Sequence, residues 1–333
     1  MMIKFKSNSL KFKYIEHHAL LKTKHIGDHA KPIIDKISLV APSPNSIYKK
    51  SISNGGTEDY DKMFLHGAFT YAKDKTLVKS TKFGAYRFSS KIFLDGYVEG
   101  ALLQIGPKIP NGKNPFMRIE FNPNKLGPDG MLMLATYLTC FMDTGLEYFW
   151  DYGKVTRVDV AVDLHGVTVG QVRFLNNWGT SERIMGTGGE IETIYIGKST
   201  SDQTKIYNKG KQAKLSSNFV ITRVERSIRT QVQFKKLIKM PNKLAHLALA
   251  DVLPAKPKNV ENYIWELFSD SVEKRGPASA LNLLPKPLRK IVVAHLKSTA
   301  CDFWKPAQIW SDWPSAVQQI IDAIGPSSSS KAA

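Results

Sequence analysis

The stretch TRVDVAVDL, Thr156–Leu164, decides the fold. Side chains of a strand alternate between faces. Val158, Val160, Val162 and Leu164 therefore make one wholly aliphatic side, and Arg157, Asp159, Ala161 and Asp163 make the other. The aliphatic side must be core. The opposite side carries two carboxylates parted only by an alanine.

Working outward, FVITRVERSIR (Phe219–Arg229) alternates in the same way. Arg223, Glu225, Ser227 and Arg229 point one way, and Val224, Arg226 and Ile228 the other. Further strand signals are DKISLVA (Asp35–Ala41), AYRFSSKIFLDGYV (Ala85–Val98), ALLQIGPKI (Ala101–Ile109), FMRIEFN (Phe116–Asn122), TIYIG (Thr193–Gly197) and TKIYN (Thr204–Asn208). The apolar run GMLMLATYLTCFM (Gly130–Met142) reads as a buried helix and is too short to span a bilayer. From about Gln231 the pattern turns helical, with prolines as punctuation.

An internal echo accompanies these signals. DKISLV, QIGPK and MRIEF in the first half are answered by RVDVAVD, YIGKS and TRVER in the second. The expected fold is α+β: a curved, mostly antiparallel sheet from a duplicated unit, with helices on one side and a helical C-terminal part. The expected organisation is a basic arm over 1–30 and a sheet-bearing domain over 31–230, with repeats 31–127 and 150–230. A helical region over 231–327 and a low-complexity tail over 328–333 complete it.

Charge points to a polyanionic partner. The 333 residues hold 47 Lys+Arg against 29 Asp+Glu, a formal charge of +18. Twelve of those cations, against Asp202 and Glu225 alone, fall between Thr193 and Lys243. Cys140 and Cys301 are too few and too far apart for a zinc site or a disulfide framework, which fits a reducing cytoplasm. The N-terminus alternates lysine with apolar residues and does not read as a signal peptide.

Two carboxylates on one face repel unless a cation lies between or beside them. Oxygen ligands suit a hard ion, so Asp159, Asp163 and Glu225 are the expected ligands of Mg²⁺ or Mn²⁺. In KIYNK, Tyr207 shares a face with Lys205 and Lys209. Nearby cations favour phenolate over phenol, as a tyrosine nucleophile requires, and the same lysines would hold a phosphate. Taken singly, each feature has a plain structural explanation: a solvated acidic face, an amphipathic strand tyrosine, a lysine-rich surface. Together they describe a phosphodiester site. GKS at Gly197–Ser199 is not a P-loop, because Glu192 stands where the first glycine is needed. No His-x-His pair occurs in the chain.

In that order, IDKISLV, MRIEFNPNKL, TRVDVAVDLHG, TIYIGKS, KIYNKGKQ and TRVERSIR span Ile34–Arg229. The set resembles the replication initiation factor family of rolling-circle plasmids and filamentous phages. The resemblance implies a bacterial cytoplasmic nickase and ligase, with domain 31–230 catalytic and single- and double-stranded DNA at a replication origin as substrate. It implies Tyr207 as nucleophile, Lys205, Lys209 and Arg223 as assisting cations, and Asp159, Asp163 and Glu225 as metal ligands. Tyr195 is the reserve nucleophile. A homodimer and a host helicase are the further partners implied. Gln212 stands where relatives carry a glutamate after the basic residue. The competing expectation is a non-catalytic DNA-binding regulator on the same scaffold.

Overall fold

The computed structural model describes residues 30–42, 85–94, 98–109, 116–139, 145–174, 181–186, 191–216, 218–251, 256–275, 277–298 and 304–324. The expected N-terminal arm, save its last residue, and the C-terminal tail lie outside them. In chain order the strands of the first half are β1 Pro32–Ala41, β2 Tyr86–Leu94, β3 Val98–Pro107 and β4 Met117–Phe121. Helices α1 Pro123–Thr139 and α2 Glu147–Tyr152 follow, then β5 Lys154–His165, β6 Val172–Phe174, β7 Ser181–Met185, β8 Ile191–Ile196 and β9 Gln203–Asn208. A short helix α3 Lys209–Gln212 leads to β10 Ile221–Gln233, a 3₁₀ helix Phe234–Lys239 and β11 Leu249–Asp251. The chain closes with α4 Asn262–Arg275, α5 Pro277–Leu283, α6 Lys286–Ser298, α7 Pro306–Ser311 and α8 Trp313–Ile324.

One nine-stranded sheet has the order β2-β3-β4-β1-β5-β10-β9-β8-β7, and every neighbouring pair in it is antiparallel. The α+β expectation holds. The duplication is visible in the topology. In each half the first strand pairs with the last, and the rest step outward: β1-β4-β3-β2 on one side, β5-β10-β9-β8 on the other.

The register makes the relation residue-specific. Arg118 sits opposite Gln104 and Val40, as Arg223 sits opposite Tyr207 and Asp163. Lys36 faces Asp159 across β1 and β5, which places the pseudo-twofold at that pair. MRIEF and TRVER are therefore true counterparts. The Ile-Gly echo is not: Ile105-Gly106 closes β3, whose counterpart is β9, whereas Ile196-Gly197 closes β8. Both glycines have positive φ, so the likeness reflects a shared turn need rather than shared descent. At Gly197 a Cβ would stand 2.8 Å from the Asp202 carbonyl, which keeps the tight β8–β9 turn a glycine site.

The aliphatic face of β5 behaves as expected, with Val158, Val160 and Val162 fully buried. Helix α1 covers that face through Leu126, Met131, Leu134 and Leu138. It begins seven residues before the apolar run. Asn122 accepts a hydrogen bond from the Lys125 backbone N–H at 2.8 Å, and the helix then kinks at Gly127 before Pro128.

The region expected as one helical part packs in two places. Helices α4 to α6 gather round Trp265, Phe268 and Leu281 in a small core of their own. Helices α7 and α8 return to the main core. The indole N–H groups of Trp304, Trp310 and Trp313 donate to the carbonyls of Leu247, Met240 and Leu237 at 2.7, 3.2 and 3.0 Å. Three buried indoles with satisfied donors thus hold the segment after β10 in place. Among the described residues no helix is long and apolar enough to cross a membrane.

Candidate functional site

The second face of the sheet is polar, and its centre is a chain of ion pairs. Arg223 is the most enclosed member, at 2% exposure. Its Nε and Nη2 donate to the two Asp163 oxygens at 2.6 and 2.7 Å, and its Nη1 donates to Asp35 at 2.9 Å. Asp35 reaches this face because β1 bulges between Ile34 and Lys36. One residue pair along, Arg157 grips Asp159 with two bonds of 2.8 and 2.7 Å and also donates to Ser227. Across the pseudo-twofold, Arg118 and Lys36 both meet Glu120, at 2.8 and 3.2 Å.

Glu225 lies opposite Ala161, between the two aspartates, and opposite Lys205 on its other side. Lys205 donates to Oε1 at 3.4 Å, and the Tyr207 hydroxyl donates to Oε2 at 3.2 Å. In the ion pairs of this face five cations (Lys36, Arg118, Arg157, Lys205, Arg223) meet five carboxylates (Asp35, Glu120, Asp159, Asp163, Glu225). Among the described residues, the ion pairs at the centre of this face balance charge for charge.

Three expectations change on this geometry. Asp159 and Asp163 are four strand residues apart, about 13 Å, so one ion cannot bridge them. Each already closes a two-point contact with a guanidinium, and among the described residues no three acidic, histidine or cysteine side chains form a group that could hold a metal. Asp159, Asp163 and Glu225 as folded do not fit a shared Mg²⁺ or Mn²⁺.

The phenolate expectation also changes. Burial first, and the Glu225 carboxylate second, push the Tyr207 pKa well above its ordinary value, and Arg223 offsets them only partly. Tyr207 is held as a phenol whose hydroxyl donates to Glu225. Stability at high pH carries the sign: the unfolded chain releases this proton near pH 10, the folded chain keeps it, and stability falls as pH rises from there. Denaturant titrations at pH 9 and pH 11 should show a loss that is smaller in Tyr207→Phe.

The third change concerns Lys209. β9 ends at Asn208, whose side chain caps α3 by accepting from the Lys211 backbone N–H at 2.8 Å. Strand alternation stops there. Lys209 is buried in α3, beyond the strand that carries Tyr207, and donates to Gln212 at 3.0 Å.

Tyr207 nonetheless opens onto solvent. A cleft of about 360 Å³ is lined by Glu192, Thr193, Tyr195, Lys205, Tyr207, Asn208, Lys211, Gln212 and Glu225. The two candidate tyrosines thus share one cleft, on adjacent strands, with Tyr195 opposite Lys205 and Tyr207 opposite Thr193. Lys211 pairs with Glu192 at its rim. Sequence reasoning missed Glu192 and Asp35. Glu192 is three residues before Tyr195 on β8, and Asp35 is visible only through the bulge that turns it inward.

Fold and site together define an antiparallel-sheet protein with an internally neutralised polar face and a tyrosine–carboxylate pair in an open cleft. No family model matches the chain, and none of the curated proteins does. Among solved structures, the rolling circle replication initiator protein from Geobacillus stearothermophilus matches 73% of this chain and 96% of its own, at 16% identity and a TM-score of 0.39. A likeness at that level carries no functional weight here.

Proposed function

We propose that the chain nicks and rejoins one DNA strand through Tyr207, as an initiator of rolling-circle replication. The observation that supports this most is the Tyr207 hydroxyl bonded to Glu225 on the wall of an accessible cleft. The phenolic oxygen attacks the scissile phosphorus while its proton passes to Glu225 Oε2. The P–O3′ bond breaks, and the 3′ oxygen takes a proton from water. A 5′-phosphotyrosine and a free 3′-OH result. Attack by a 3′-OH on that phosphotyrosine runs the same exchange backwards and rejoins the strand. Lys205 lies on the same carboxylate and sets its orientation.

The carboxylates alone do not separate this enzyme from a DNA-binding regulator, since ion pairing accounts for Asp159 and Asp163. The tyrosine–glutamate pair favours the enzyme, because it sets a base on a phenol at the wall of an open cleft. A divalent ion at the phosphate is a separate proposal, and no step is drawn through it.

The test is covalent capture of labelled supercoiled DNA on a denaturing gel, for the native chain and Glu225→Gln. Glu225→Gln should form adduct about 10²–10⁴-fold more slowly, the usual worth of a general base. Its remaining rate should climb about tenfold per pH unit, since hydroxide must then remove the proton. Equal rates and equal pH profiles would remove Glu225 from the reaction.

A further inference from the structure

The balanced polar face leaves the molecule's attraction for a polyanion to come from elsewhere. Past Gln233, β10 runs into the 3₁₀ helix Phe234–Lys239 and the segment up to Lys243. Thr230, Val232, Lys236, Lys239, Met240, Pro241 and Lys243 line a groove of about 380 Å³ there. Lys236 and Lys239 are exposed and Lys243 half-buried, with Lys235 exposed beside them. No acidic residue occurs between Glu225 and Asp251. Among the described residues none of these lysines has a salt-bridge partner, in contrast to every cation at the centre of the sheet face.

The lysines stand on a fixed support. Phe234 and Leu237 are fully buried, and the Phe234 N–H donates to the Gly153 carbonyl at 3.0 Å. The Trp310 and Trp313 indoles bind the carbonyls of Met240 and Leu237. Val232 and Met240 give the groove an apolar lining between its ammonium groups. Ammonium groups round an apolar floor suit a sugar–phosphate chain, with phosphates at the lysines and deoxyribose between them.

We propose that this groove binds the DNA phosphodiester backbone, at a place distinct from the tyrosine cleft. The proposal rests on the reading that the substrate is DNA. Glu225 pairs with Ala161 and Val232 with Val155, six residues apart along β5, about 20 Å. That is less than one turn of duplex, about 34 Å, so one DNA molecule can reach both. The cleft does the chemistry, and the groove supplies the salt-sensitive affinity.

The experiment compares the full-length chain with Lys236→Gln/Lys239→Gln/Lys243→Gln, reading both affinity for a duplex carrying its own origin, across salt, and adduct yield at saturating DNA. Three lost phosphate contacts should make the slope of log affinity against log salt shallower by about 2.7. Affinity at 0.1 M salt should fall at least about tenfold, with adduct yield at saturation unchanged. Lys258→Gln/Lys286→Gln/Lys290→Gln removes the same charge elsewhere on the surface and should leave the slope alone. An unchanged slope in the groove variant, or an equal change in the control, overturns the proposal. So does lysine-dependent binding to anionic lipid vesicles with the DNA slope unaltered. If the slope falls as expected but no variant forms adduct, the groove stands and the nicking reading fails; adduct with an unaltered slope is the reverse.

Discussion

Tyr207→Phe should abolish covalent capture of DNA, by on the order of 10⁴-fold or more, while duplex affinity stays within a few-fold. Removal of a nucleophile from a coupled pair costs about as much as removing the whole pair. Tyr207→Phe and Glu225→Gln should therefore be far from additive, and the double variant should be no slower than Tyr207→Phe. The substitution deletes one oxygen and leaves the ring in place. The loss can then be read as chemistry and not as folding, because the ring still fills its half-buried site on β9. Retention of the native rate would show that the nucleophile is another residue, with Tyr195 across the cleft the first to examine.

Arg223→Leu should be the most destabilising exchange on the sheet face. It leaves Asp163 and Asp35 facing each other without the guanidinium that both now contact. Removing one member of a buried ion pair costs about 3–5 kcal/mol. For a chain of this size that lowers Tm by roughly 4–7 °C. Loss is much smaller when the stranded charge goes too, so Arg223→Leu/Asp163→Leu should recover a good part of it. Urea melts of the two single variants and the double variant form the cycle that measures this coupling. Additive losses would mean that the pair contributes nothing beyond its separate side chains.

The contrast between these two residues explains what the sequence disclosed. The sheet was legible because a strand reports its own faces: Val158, Val160 and Val162 must be buried whatever their neighbours are. The duplication was legible in MRIEF and TRVER, where an arginine and a glutamate keep one spacing and one register in both halves. The three-residue strands β6 and β11 carry too few residues to show a period.

The roles of the charged residues were not legible, because alternation says which face a side chain takes and nothing of its partner. Asp159 and Asp163 invite a metal on paper. Arg157 and Arg223, two and sixty residues away in the chain, occupy them in the fold. Lys205 and Lys209 look equivalent round Tyr207, yet one stands on β9 and the other in α3, past the strand end. Cations near a phenol suggested phenolate, but Glu225 comes from a strand that composition cannot place beside it. The distance of 3.2 Å between its Oε2 and the hydroxyl, with burial, reverses the sign.

The most direct test of the account is to capture the adduct on DNA from the chain's own replicon, with Mn²⁺ and with chelator, digest it, and locate the nucleotide by mass spectrometry. The account predicts a 5′-phosphotyrosine on the peptide that contains Tyr207. Salt-sensitive binding with no covalent nucleotide under either condition would contradict it and leave the chain a DNA-binding protein.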